Sequence, residues 1–105
     1  MMKITNEIGA LLGFARKAGK LYAGEAAVKS AVKRNAAGLL ILAGDLPVKR
    51  KEYWRKYCEL TGLAAAELGT KEEWGNILGM SERGILAVAD RKMAAAIIAR
   101  LQEDK

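Results

Sequence analysis

Histidine is missing from these 105 residues, and cysteine and proline occur once each, as Cys58 and Pro47. Without histidine the commonest general base is gone. Without a cysteine pair the usual zinc ligand sets are gone as well. A lone thiol forms no internal disulfide, which fits a reducing compartment. No run approaches the ~18 apolar residues that a membrane helix needs. The stretch Met1 to Gly13 contains Lys3, Asn6 and Glu7 and lacks the apolar core and cleavage site of a targeting segment. These shortages point to a cytoplasmic protein that uses no membrane, no metal and no cofactor. With 51% hydrophobic residues, the chain is neither disordered nor a string of linkers. Residues 1–105 read as a single domain, long enough to bury one core.

What is abundant is positive charge, 18 Lys and Arg against 12 Asp and Glu, for a net of +6. Residues 1–60 hold twelve basic and five acidic side chains, whereas residues 61–105 hold six and seven. A field gathered on one half of a chain suits a polyanion, nucleic acid before membrane.

Periodicity divides the chain into alternating helices and strands. Ile8, Leu11, Leu12, Ala15 and Ala18 recur at helical spacing, with Thr5 or Asn6 as cap and Gly19 as the stop. Lys20-Leu21-Tyr22 is a short strand or extended link. Gly24-Glu25 opens a second helix with Ala27, Val28, Ala31 and Val32 inward, ending near Asn35. The apolar run Leu39 to Ala43 between two glycines reads as a strand covered on both faces. Asp45 and Pro47 are expected to start a third helix that runs to Thr61-Gly62. Leu63 to Glu67 is a weaker strand, and Thr70 with Glu73 forms a capping-box pattern for a helix that Gly79 ends. Ile85 to Ala89 is the last buried strand, and Asp90 caps a final helix with Met93, Ile97 and Leu101 on one face. Such alternation with short links predicts an α/β fold with helices on both faces of one sheet.

Most local motifs have plain explanations. Gly13 to Lys20 imitates a phosphate loop, but five residues separate its glycines where four are required, and Leu21 stands where Ser or Thr must meet magnesium. Glu72 and Glu73 favour the dipole at a helix start, and Glu103 with Asp104 lies in a fraying tail. Trp54, Tyr57 and Cys58 share one side of the third helix among Lys49, Arg50, Lys51, Arg55 and Lys56. Those aromatics could stack on bases, yet their helical spacing makes a core stripe the better reading, as it does for Trp74. The informative segment is Arg16 to Arg34, with Arg16, Lys17, Lys20, Lys29, Lys33 and Arg34 against Glu25 alone. There Gly24 lets a backbone come close where helix N–H groups are free to meet a phosphate or a base edge.

These residues carry a resemblance. The run Leu12 to Leu21 (LGFARKAGKL) with Gly24-Glu25 resembles the bacterial YlxQ-type members of the kink-turn-binding ribosomal protein superfamily, relatives of large-subunit proteins seven-Ae and thirty-e. Similarity continues through Leu40 to Ala43 with Asp45, Cys58-Glu59, and Gly69 to Glu73 with Gly79, so it spans nearly the whole chain. The resemblance implies a three-layer α/β/α sandwich around a four-stranded mixed sheet. It also implies RNA recognition by the loop opening the second helix and by the loop Met80 to Gly84. The family's kink-turn readers carry Gly-x-Asn-Glu-x-x-Lys at that helix start. Here Gly24 matches, while Ala26, Ala27 and Ser30 stand at the Asn, Glu and Lys positions, and Gly44 replaces an acidic residue before Asp45. Since a bidentate base contact gives about 1–3 kcal/mol of discrimination, weakened kink-turn preference is expected.

The expected protein is a non-catalytic, ribosome-associated RNA binder, monomeric, acting on ribosomal or other structured RNA and not on DNA. Lys17, Lys20, Lys29, Lys33 and Arg34 would contact phosphates, Gly24 and Glu25 would allow close approach, and Arg83 would add a contact from the facing loop. The rival readings are a protein-interaction adaptor that kept the fold without RNA, and an enzyme that works through a Lys or carboxylate with a strongly shifted pKa.

Overall fold

Alternating side chains on two buried strands fix the architecture. The computed structural model describes residues 3–103. Met1, Met2, Asp104 and Lys105 lie outside them, so the Glu103/Asp104 pair goes undescribed. The element order is α1 (Asn6–Lys17), β1 (Leu21–Ala23), α2 (Glu25–Lys33), β2 (Leu39–Leu42), α3 (Val48–Thr61), β3 (Ala64–Glu67), α4 (Lys71–Leu78), β4 (Ile85–Val88) and α5 (Arg91–Glu103). The strands form one sheet in the order β1-β4-β2-β3, with β2 and β3 parallel and β4 antiparallel to both of its neighbours. This is the expected α/β sandwich with a four-stranded mixed sheet.

Every residue of β2 and β4 is buried, and successive side chains of a strand point to opposite faces. Leu39, Ile41, Leu86 and Val88 pack with Ile8 and Leu12 of α1, Trp74 and Leu78 of α4, and Ala94, Ile97 and Leu101 of α5. Leu40, Leu42, Ile85 and Ala87 pack instead with Val28 of α2 and with Trp54 and Cys58 of α3. Three helices therefore cover one face and two the other. Trp54 and Trp74, 1% and 0% exposed, are core residues, as their spacing predicted.

Capping sets the helix starts. Thr5 caps α1 by accepting from Ile8 N–H, and Thr70 and Glu73 complete the capping box of α4. Asp90 accepts from the N–H groups of Lys92 and Met93, and those bonds, Met93's foremost, hold its carboxyl below the ordinary range. Asp45 departs from expectation. Pro47 occupies the N-cap of α3 without any side-chain cap, while Asp45 Oδ1 accepts from Lys71 N–H, 2.9 Å away, at the first position of α4. A carboxylate is favoured at either helix start, and tertiary proximity decides which. On α5, Ala94 joins Ile97 and Leu101 in the core, and Met93 is half-buried.

Candidate nucleic-acid interface

Because β1, β2 and β3 all run one way and β4 runs back, four loops meet at one end of the sheet. Backbone hydrogen bonds join them. Gly24 N–H donates to Ile85 O, Ala43 N–H to Gly84 O, Gly44 N–H to Gly69 O, and Arg83 N–H to Lys71 O, all at 2.8–3.2 Å. Among them opens a groove of about 510 Å³, lined by Ala23 to Ala27, Leu46 and Glu82 to Ile85.

Gly24 forms one wall. Its φ of +99° is a left-handed backbone value that side chains with a Cβ rarely adopt. As the N-cap of α2 it supplies no side-chain hydrogen bond. The first-turn N–H groups of α2, which have no partner within a helix, thus line the groove at the positive end of the helix dipole.

Arg83 forms the other wall. A methyl group on Gly24 would stand 3.7 Å from Arg83 Cδ and Nε, so glycine and guanidinium are close neighbours. Arg83 Nη1 donates back to Ser81 O, Ser81 Oγ and Glu82 O at 2.6–3.2 Å, which keeps loop Met80 to Gly84 in shape. Gly75 in α4 underlies that loop. A methyl there would meet Ser81 O at 2.8 Å and Met80 O at 3.0 Å.

Glu25 has a different occupation from the one its place in the motif suggested. Its carboxylate accepts from Trp54 Nε1–H at 3.1 Å and pairs with Arg50. The first residue of α2 is thereby tied to α3. A second set of contacts ties α3 to the sheet end, with Lys51 donating to Gly44 O at 3.0 Å and pairing with Glu67, which Arg55 also meets.

The structure divides the basic residues that the sequence groups together. Gly24, Glu25 and Arg83 stand at the loop end. Lys29 lies partway along the exposed face of α2, and Lys33 and Arg34 lie at its far end, where Arg34 covers the Tyr22 ring at 5.4 Å. Lys17 and Lys20 sit before β1, at the opposite end of the sheet from Gly24, where Lys20 O accepts from Ala89 N–H. Strand β1 separates the two groups by about 10 Å. Ala26 and Ser30 are exposed and Ala27 half-buried, so all three motif positions border the groove or the surface beside it. Lys71, whose side chain flanks Gly84, is a basic residue at this end that sequence reading passed over. Its place inside a capping motif gave no hint of that proximity.

Other chemistry is sparse. Among the described residues no group of His, Cys, Asp and Glu is placed to hold a metal ion, and no helix is long and apolar enough to cross a membrane. Cys58 is buried, and burial pushes its thiol up to about 11, the reverse of what activates a nucleophile.

Comparison with known proteins follows this geometry. The model of the Ribosomal protein L7Ae/L30e/S12e/Gadd45 family matches residues 6–98. The chain belongs to that family. Among solved structures, a protein of unknown function from Bacillus halodurans superposes with a TM-score of 0.84 at 26% identity, covering 90% of this chain and 95% of its own. The Giardia lamblia 15.5kD RNA binding protein superposes with a TM-score of 0.78 at 19% identity, covering 92% and 86%. At that identity the second likeness speaks for the fold alone. No curated protein matches the sequence significantly.

Proposed function

We propose that this L7Ae-family protein is a non-catalytic binder of structured RNA, of the bacterial YlxQ type, working in association with the ribosome. The observation that carries the reading is the pairing of Gly24 and Arg83 across a groove lined by uncapped helix N–H groups. Family membership and the likeness to an RNA-binding protein support it. Gly24 admits an RNA backbone or base edge to the helix start. Arg83 meets it from the facing loop, and Glu25 holds the helix start in place through Trp54 and Arg50. Lys29, Lys33 and Arg34 take phosphates along α2. Lys17 and Lys20 add attraction from the far end, at about the reach of one Debye length in physiological salt.

Sequence preference should be weak. Phosphate contacts position a protein, while base contacts specify, and Ala26, Ala27 and Ser30 have no long polar side chain to offer a base edge. Kink-turn RNA and a duplex of equal length should bind within roughly tenfold of each other, or ~1.4 kcal/mol, both weakening steeply with salt through counterion release. A variant carrying Ala26→Asn, Ala27→Glu and Ser30→Lys should gain kink-turn preference at little cost in stability, because two of the three positions are exposed. One titration with each RNA, beside a thermal melt, checks this. A hundredfold preference in the unmodified protein contradicts the weakened specificity, and affinity indifferent to salt contradicts the phosphate contacts. A soluble acidic protein partner with no RNA retained at physiological salt would favour the adaptor reading.

A further inference from the structure

Trp54 and Tyr57 are the stacking candidates that the sequence offers on α3, and the structure buries the first and half-buries the second. The neighbouring aromatic does the opposite. Tyr53 is 48% exposed on α3, in edge contact with Trp54 at 5.1 Å. Two cations attend its ring, the Arg50 guanidinium at 4.8 Å and Lys29 Nζ at 6.0 Å from the centroid. They come from different helices, so the ring lies over the seam between α2 and α3. The seam leads back to the groove, because Arg50 pairs with Glu25, the residue after Gly24. Exposed Lys49 lies one turn before Tyr53, and Glu52 is the one acidic side chain between Val48 and Cys58.

We propose that the Tyr53 seam holds a single-stranded RNA segment adjoining the structured RNA at the loop end, a base stacking on Tyr53 and its flanking phosphates meeting Lys29, Arg50 and Lys49. The inference rests on the RNA reading above and adds a second surface and a second kind of RNA element. An open aromatic ring flanked by cations is the combination that sequence-tolerant single-strand binding uses, since every base has a π-face and every linkage a phosphate. An acidic peptide would satisfy the cations and leave the ring idle, so RNA is the better match.

The test uses the full chain with three probes: a hairpin with an internal loop, the same hairpin with a single-stranded oligouridine tail, and the free oligouridine. The tail should tighten binding by roughly tenfold. Tyr53→Ala should lose most of that gain while binding the untailed hairpin as before, and Tyr53→Phe should keep it. Ultraviolet crosslinking of the tailed hairpin, read by mass spectrometry, should mark Tyr53, and it decides the matter if Tyr53→Ala fails to fold. A tail that adds nothing to the unmodified protein, or a gain that survives Tyr53→Ala, overturns the proposal even where the hairpin binds. Free oligouridine bound through Tyr53 without any hairpin binding would sink the loop-end reading and the adjoining structured element, while upholding the single-strand site at Tyr53. If neither RNA binds and an acidic peptide does, both fail.

Discussion

Each face of the sheet buries one tryptophan, and the two differ in what their indole N–H groups reach. Trp74, under the three-helix layer, donates to the Leu68 carbonyl at 2.9 Å in a fully buried contact. Trp54, under the two-helix layer, donates to the Glu25 carboxylate, which is itself 36% exposed and paired with Arg50. One bond closes inside the core, and the other ends at the rim of the groove. The charges divide along the same line. Helices α2 and α3, with the cap residue Arg34, carry Lys29, Lys33, Arg34, Lys49, Arg50, Lys51, Arg55 and Lys56 against Glu25, Glu52 and Glu59 of their own. On the other three helices basic and acidic residues are nearer to balance. Both layers meet the same requirement to cover apolar strands. One does so with nothing left over, and the other couples its core to a charged surface.

Exchanging the tryptophans should show this most clearly. Trp74→Ala removes a fully buried ring and should cost about 3–5 kcal/mol, read from urea denaturation, while the fraction still folded binds RNA normally. Trp54→Ala should cost a similar amount and, in addition, weaken RNA binding, because Glu25 and Arg50 lose their anchor. Equal RNA affinity in the two variants would dissolve the distinction. A smaller effect should come from the three-helix layer. Gly75→Ala presses a methyl against the Ser81 and Met80 carbonyls and should cost about 1–3 kcal/mol by overpacking. It should also lower RNA affinity by displacing Arg83, and a crystal structure or amide exchange across residues 80–84 would detect the shift. If affinity holds, the loop is not part of the site. The smallest change concerns pH. Asp90 has a lowered pKa in the fold, chiefly through the Met93 N–H bond, so its ionised form stabilises the native state above the ordinary carboxylate value of about 3.9. That contribution is lost as pH falls through the lowered value. Asp90→Asn, which keeps a capping side chain, should be less stable than the parent at neutral pH and indistinguishable from it in strong acid. RNA binding at neutral pH should not change.

Much of the fold was legible because local chemistry and tertiary packing agreed. The glycines and capping residues marked most helix ends, and the apolar runs at Leu39 and Ile85 predicted two covered strands that are buried throughout. Asp45 was misread because a carboxylate near two helix starts can cap either, and only the fold brings Lys71 N–H to it. The site was less legible. Gly24 and Arg83 carry signals in the sequence, and the structure sets them side by side at the groove. The basic stretch Arg16 to Arg34 looked continuous because a linear chain does not show that β1 carries Lys20 and Gly24 to opposite ends of the sheet. Glu25 looked available because nothing local connects it with Trp54, 29 residues away. Tyr53 gives no signal in the sequence, because an exposed aromatic beside the core stripe of α3 has no periodicity of its own.

The positive φ of Gly24 has a consequence for how the protein can change. That residue is close to immovable, since any side chain there strains the turn from which α2 departs. Ala26 and Ser30, in the first two turns of α2, are exposed, and substitutions at such positions usually alter stability by less than ~0.5 kcal/mol. A fixed backbone opening beside freely exchangeable side chains is a mount with interchangeable readers. If the protein binds RNA as proposed, mutations there can rewrite which RNA is preferred without first disturbing the scaffold.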